Sequence, residues 1–410
     1  HIMYNDDINS DFQLKSNFIN DIYYDAENNM IWIGTESGGL TKMYSSRISI
    51  NNYIHLQNQN TSLSRNLVNS IKEDSDGNLW VGVVEGGLNC RLSGTNTFLH
   101  YDTGASSFLG HNTVSALELD GGDRLYVGTW GGGVGWINRK KGASKLFNKI
   151  ATPDVFISTL VYDNINGLLW ICTSNNVYVY NPKNNSVREP FHGKEKPIVS
   201  NTLGGCITDD GDLWISSAFG LLRINLISYS KGELNYKKYL TEIDASGRIS
   251  SERVAFITKT KDGELWIGSN GSGVYRAVRD GNGEYVFTSY IMADGLINNN
   301  VRGVLEDWYG DIWITTINGL SKYNRKENMF VNYTTNDGLV SDQFYWNAAA
   351  VSGNGEKIYL GSIGGLSEIH PMIEKEIVYN YPVVINRISV FDNIVYPENN
   401  MLKIHERDRS

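Results

Sequence analysis

The chain is poor in proline and cysteine, has no excess of basic charge and contains no long apolar run. Seven prolines and three cysteines in 410 residues leave few fixed kinks and no disulfide framework. Cys90, Cys172 and Cys206 are odd in number and fit no zinc or redox spacing, so buried thiols are expected. Asp and Glu (45) outnumber Lys and Arg (36), and the net charge of −9 argues against nucleic acid as a partner. A local arginine cluster can still attract an anionic polysaccharide against that global charge. The roughly 18 consecutive apolar residues of a membrane-spanning helix are absent, as is a signal peptide. His1-Ile2-Met3 reads as a cloning remnant, which suggests an excised piece. The seven histidines form no metal-ligand spacing, so neither metal nor cofactor is expected.

Glycine (42) and aromatic residues (11%) are abundant instead. They serve one phrase that returns eight times: Ile31-Trp32-Ile33, Leu79-Trp80-Val81, Leu125-Tyr126-Val127, Leu169-Trp170-Ile171, Leu213-Trp214-Ile215, Leu265-Trp266-Ile267, Ile312-Trp313-Ile314 and Ile358-Tyr359-Leu360. The spacings of the aromatic residue are 48, 46, 44, 44, 52, 47 and 46. A period this regular means one structural unit used repeatedly. Residues 66–101 show the unit. A strand ends at Glu73-Asp74, and Ser75-Asp76-Gly77-Asn78 turns the chain. Leu79-Trp80-Val81-Gly82-Val83 follows, Glu85-Gly86-Gly87 turns again, and two more short strands complete the copy.

Four short antiparallel strands per copy describe the blade of an all-β propeller. The phrase is apolar on both faces, which suits a sheet stacked between two neighbours rather than one with a wet face. Eight copies favour eight blades; seven blades plus one orphan unit is the competing count. The last copy lacks an evident fourth strand, and Asp11-Phe12-Gln13-Leu14 resembles the fourth strands elsewhere. The N-terminal segment is therefore expected to close the last blade. The propeller is placed at residues 1–376. Residues 377–410 read as a linker and the start of a truncated β-sandwich, too short for a core of their own.

The order Asn-x-Val-x-x-Ile-x-Glu-Asp, Asp-x-x-Gly-x-Leu-Trp-Ile-Gly-Thr, Gly-Gly-Leu resembles the two-component regulator propeller repeat. Asn66 to Leu88, Asn112 to Val134 and Asn299 to Leu320 carry it, with the linkers Asp294-Gly295-Leu296 and Asn336-Asp337-Gly338-Leu339. Tyr381-Pro382-Val383-Val384-Ile385 resembles the start of the triple-tyrosine β-sandwich that follows such propellers. The resemblance implies the periplasmic sensor region of a hybrid two-component system, in a receptor anchored in the inner membrane. Such a region senses glycan fragments, and the sandwich passes the signal to a histidine kinase. It implies an oligosaccharide ligand, an adjoining propeller and β-sandwich, and a homodimer in the full receptor. Family members usually carry two seven-bladed propellers, and eight copies depart from that. No catalysis is expected of this piece itself. A propeller glycosidase or lyase is the second reading, and a protein-interaction scaffold the third.

Departures from the repeat mark candidate ligand-binding residues, since loops on a rigid ring are where ligands bind. Trp130 stands where other copies have Glu36 or Val84, and Trp136 follows it. Arg302 and Tyr345 stand where others have Asn20, Asn69 or Ser115. Arg253 lies one position before the equivalent valine, and Phe219 and Trp346 add aromatic surface. Aromatic rings stack on the apolar face of a pyranose, and arginine offers paired donors to uronate or sulfate. The plain alternative is packing between blades. Three other features are set aside. Gly131-Gly132-Gly133 opens no helix and so is no phosphate loop. Glu73-Asp74 and Glu306-Asp307 recur before the same turn and read as turn-stabilising rather than catalytic. Ser75-Asp76-Gly77-Asn78-Leu79-Trp80 resembles the Asp-box of sialidase propellers, itself a structural turn.

Overall fold

The structure, a computed structural model, describes residues 16, 18–25, 30–44, 48–104, 109–141, 147–191, 197, 199, 202–217, 220–239, 254–371, 388–390 and 393–395. The chain divides into two compact units, His1–Met372 and Ile373–Ser410. In the second, Ile388–Val390 pairs antiparallel with Asn393–Val395. No helix among the described residues is long and apolar enough to cross a membrane.

The eight copies of the phrase form eight antiparallel meander sheets, as the repeat implies. Seven are four-stranded. We number them as blades one to seven: 68–101, 114–150, 157–188, 205–239, 254–290, 301–333, and 344–370 completed by Ser49–Tyr53. The first strand of each blade lies beside that of the next, and the first strand of blade seven lies beside that of blade one. The ring therefore closes on seven blades. The eighth sheet, 19–44, has three strands and stands outside this ring of first strands. Its first strand, Ile19–Asp25, is exposed along its length, with Ile22 at 58% and Tyr23 at 64%.

The strand that closes blade seven differs from the expectation. Ser49–Tyr53 pairs with Leu366–His370, in register Leu366↔Tyr53 to His370↔Ser49, and takes the outer edge of the blade. Its apolar residues explain the choice. Ile48 is buried with Phe344, Ile358 and Leu360, and Ile50 packs against the same cluster. Residues 11–14 lie outside the described residues.

Why the phrase is apolar on both faces follows from its alternation. Successive side chains of a strand point to opposite faces. The central aromatic of each blade packs toward the next blade: Trp80 with Leu117 and Val127, Trp214 with Ile257 and Ile267, Trp313 with Phe344 and Leu360. The flanking aliphatics pack toward the preceding blade, as Leu79 and Val81 do against Ala348 and Tyr359. Among the described residues this yields seven buried clusters, one for each junction of adjacent blades. Cys90 and Cys172 are buried in two of them, and Cys206 is partly buried.

The turn after the first strand is built by one carboxylate. Asp307 accepts from the backbone N–H of Tyr309 (2.9 Å) and Asp311 (3.0 Å) and from Trp313 Nε1 (2.8 Å). Asp74 does the same for Asp76, Asn78 and Trp80. In blade four Thr208 holds this position, and the buried Trp214 Nε1 has no hydrogen-bond partner among the described protein groups. Glu73 and Glu306 reach back to the preceding blade. Glu73 accepts from Tyr359 Oη (2.6 Å) and Gly353 N–H (2.9 Å), and Glu306 accepts from Lys261 N–H (2.7 Å). In blade one the second turn needs glycine for a steric reason. Gly87 has φ +79°, and a Cβ there would lie 2.2 Å from the Tyr101 carbonyl oxygen.

A buried ion pair crosses the seam of the ring. Arg91 of blade one lies 2.8 Å from Glu368 of blade seven, both nearly excluded from solvent, and Lys357 is 3.0 Å from the same carboxylate. Burial alone would raise the Glu368 carboxyl, but Arg91 and Lys357 outweigh it and hold the group down at about 2.

Two predictions follow from the packing and the seam. Trp313→Ala should cost roughly 3–5 kcal/mol, whereas Trp32→Ala in the partly exposed eighth sheet should cost under about 1 kcal/mol. Urea denaturation compares them, and equal losses would contradict the seven-membered ring. A carboxylate with a depressed folded value stabilises the protein above its unfolded value and loses that contribution as pH falls. The Glu368 contribution should therefore fade between about 4.5 and about 2. Glu368→Gln should cost roughly 3–5 kcal/mol at neutral pH, by leaving Arg91 buried and unpaired. The variant's melting temperature should fall less than the wild type's across that acid window.

Candidate functional site

The loop face of the ring carries the turns between second and third strands and the connections from one blade to the next. A recurring irregularity shapes it. At the start of the first strand, one residue drops out of the ladder: Asn69, Ser115, Ser158, Ala255 and Arg302 each fall at a one-residue register shift. Such bulges re-aim side chains and are frequent beside functional sites. Blade seven enlarges the bulge. There Phe344 pairs with Ser362 and Ala349 with Leu360, so Tyr345, Trp346, Asn347 and Ala348 all leave the ladder. Asn347 takes a left-handed conformation, φ 51°.

The enlarged bulge brings Trp346 to Arg302. The Arg302 guanidinium carbon lies 3.5 Å from the centroid of the Trp346 ring. Phe256, from blade five, meets the same indole at 6.0 Å. Blades five, six and seven thus each supply one member. Arg302 NH1 donates to Asn270 Oδ1 (3.2 Å) and to the Val301 carbonyl (3.4 Å). Among the described residues no carboxylate pairs with it. Burial accordingly pushes its guanidinium down to about 10. Most other arginines of the ring differ: Arg91, Arg139, Arg223, Arg276, Arg279 and Arg325 pair with carboxylates, while the partly buried Arg124 lies against Trp136 and Tyr126.

A second feature of the same face lies at blades two and three. Trp130 is 43% exposed and Phe156 41% exposed, with ring centroids 5.4 Å apart. The two residues form an isolated β-bridge, which fixes their backbones. Asn270 and Asn300 form the equivalent bridge at blades five and six. Beneath Phe156, Asp154 accepts from its N–H (3.2 Å) and from Asn175 Nδ2 (3.0 Å). The exposed His111 ring adjoins Gly131 in the neighbouring turn.

The sequence candidates thus separate. Arg302 and Trp346 are brought together, and Trp130 is an exposed platform. Tyr345 packs half-buried against the cluster between blades seven and one. Trp136 sits mid-blade, opposite Tyr126 in the ladder, packed against the cluster between blades two and three, with Arg124 4.6 Å from its ring. It holds the same place as Cys90 and Arg223, away from the loops. Phe219 and Arg253 lie outside the described residues. Phe156, Phe256 and Asn270 were not anticipated. Asn270 was legible: it stands four residues after Trp266, as Trp130 stands four after Tyr126.

On the opposite face, a cleft of about 400 Å³ runs between Thr208, Asp210, Asp262, Glu264, Arg279 and Tyr285. Its charges satisfy one another: Arg279 with Asp210, Arg276 and Arg325 with Glu264, and Arg325 with Asp262. It therefore offers no uncompensated group to a ligand.

Residues 122–351 match the family model described as Domain of unknown function (DUF5074), and residues 13–37 and 62–84 match Two component regulator propeller. Histidine kinase P4 of Formosa agariphila is 24% identical over 342 residues, 70% of this chain and 24% of that protein. The extracellular domain of a putative hybrid two component system from B. thetaiotaomicron superposes with TM-score 0.71 at 22% identity, covering 96% of this chain and 51% of that one. Virginiamycin B lyase from Staphylococcus aureus superposes with TM-score 0.57 at 15% identity, covering 79% of this chain and 99% of that one. At these identities the superpositions speak for the fold alone. The chain spans about a quarter of the kinase and about half of the extracellular domain.

Arg302 carries its positive charge half-buried and without a counter-charge among the described residues, which costs stability in the free protein. Arg302→Met should therefore leave the melting temperature unchanged or raise it. A fall of several degrees in calorimetry would mark Arg302 as a structural residue instead.

Proposed function

The chain belongs to the family described as Domain of unknown function (DUF5074) and carries two-component regulator propeller repeats, and on that basis we propose that it is an extracytoplasmic sensor propeller that binds a glycan fragment. In this reading the propeller belongs to a receptor anchored in the inner membrane, and a histidine kinase in the same receptor reads the binding event. The observation that carries the ligand class is the Trp130–Phe156 pair. Two adjacent rings, each more than one-third exposed, stand on backbones held by a β-bridge. Exposing them costs hydrophobic free energy, which stacking against the C–H face of a pyranose recovers. Asp154, Asn175 and His111 lie close by as hydrogen-bonding groups for hydroxyls.

Signalling follows if ligand favours one arrangement of the propeller and its neighbouring domains over another. A ligand shifts such an equilibrium only by its difference in affinity for the two states. In a dimeric receptor the shift would alter the approach of the two kinases. Nothing in this scheme asks the propeller to break a bond.

Calorimetry against a panel of plant, host and microbial oligosaccharides tests the reading. We expect binding without products, and Trp130→Ala or Phe156→Ala should weaken it by roughly tenfold or more. Released sugars would favour the glycosidase or lyase alternative. Unchanged affinity in both variants would remove this platform as the site.

A further inference from the structure

We propose that Arg302, backed by Trp346, is a binding point for a single oxyanion group carried by the ligand, the carboxylate of a uronic acid or a sulfate ester. The proposal rests on the glycan reading above and narrows it to acidic saccharides. It is drawn from a different part of the loop face than the Trp130 platform.

The donor inventory of the guanidinium carries it. An arginine side chain has five N–H donors in a planar fork. NH1 is occupied by Asn270 Oδ1 and the Val301 carbonyl. The edge formed by Nε and NH2 has no acceptor among the described residues. That edge presents two parallel N–H groups, the geometry that matches a carboxylate or sulfate in a paired hydrogen bond. One face of the guanidinium plane is covered by the indole at 3.5 Å, and NH1 is held by Asn270. Trp346 is itself braced by Phe256. The fork is thus oriented before a ligand arrives, which lowers the entropy lost on binding.

Charge accounting points the same way. A half-buried cation without a partner is unfavourable in the free protein. Its depressed titration reflects burial alone, with no carboxylate contribution. An incoming anion supplies the missing partner, in surroundings where charge-assisted hydrogen bonds are stronger than in water. Elsewhere in the ring Arg91, Arg139, Arg223 and Arg276 are each paired with aspartate or glutamate. The overall charge of −9 repels anions at long range, so affinity for one must come from a local feature of this kind. Asn270 adds a side-chain amide beside the guanidinium that can donate to the same group or to a neighbouring hydroxyl.

The test uses the whole chain and three probes in calorimetry: digalacturonic acid, neutral digalactose and galactose 6-sulfate. We expect at least one acidic probe to bind roughly 10- to 100-fold tighter than digalactose, the yield of a paired charge-assisted hydrogen bond. Preference between the two acidic probes distinguishes carboxylate from sulfate. Arg302→Met should abolish the preference while leaving digalactose binding unchanged. Arg302→Lys keeps the charge but not the fork, and should lose most of the preference; circular dichroism melts check that both variants fold. Equal binding of acidic and neutral probes would overturn the oxyanion site and leave the glycan reading standing. An acidic preference that survives in Arg302→Met would overturn the assignment to this residue. Binding of none of the probes, with the neutral panel also silent, would sink both readings together.

Discussion

The second strand of every blade is apolar on both sides, and the rest of the architecture depends on that. Its aromatic residue packs toward the following blade, and its two aliphatic neighbours pack toward the preceding one. A sheet built this way is incomplete alone and incomplete with one neighbour. Only a closed ring supplies two neighbours to every member without leaving a greasy end. The seven apolar clusters at the blade junctions are the result. The eighth sheet shows the converse. Trp32 is partly exposed, and Phe18, Tyr23 and Leu40 are largely exposed.

Polar groups refine this scheme. The turn carboxylate saturates the donors of a tight reversal and the indole N–H of the packing aromatic, so one side chain ties local geometry to the core. In blade four, where Thr208 replaces it, the indole donor stays unsatisfied among the described protein groups, whereas in blade five Glu264 accepts from Trp266 in its stead. Residues at the start of the second strand and on the facing third strand carry opposite charges: Asp212 with Arg223, Glu264 with Arg276, Asp311 with Lys322. Blade seven inverts the order, Lys357 with Glu368, and this places a carboxylate where Arg91 of blade one can reach it. The inversion falls at the seam, the junction that joins the two ends of the ring.

Most of the fold was legible in the sequence because the phrase is local and repeats without gaps. The closing strand was not, because the pairing of Ser49–Tyr53 with Leu366–His370 is non-local and neither segment carries the phrase. Of the candidate site, Trp130 and Arg302 were visible as departures from the repeat. The enlarged bulge around Trp346 was hidden by compensation. Blade seven adds residues between its first-strand start and Tyr359, while the connection between the third and fourth strands of blade six is short, so the spacing stays at 46. Trp136 misled because an aromatic residue next to a glycine turn looks the same from sequence whether it faces the loops or a neighbouring sheet.

The position of the closing strand also has a bearing on how the molecule assembles. Ser49–Tyr53 precedes blade one in the chain, yet its partner follows six complete blades. Each blade can form its own meander from neighbouring residues, a process dominated by short-range contacts. The final pairing joins ends separated by most of the ring, and loop-closure entropy opposes it until the blades between have stacked. A chain emerging from the ribosome would therefore hold Ile48 and Ile50 unpartnered until blades six and seven have been made. That interval is when a growing propeller is most exposed to aggregation and most dependent on a chaperone.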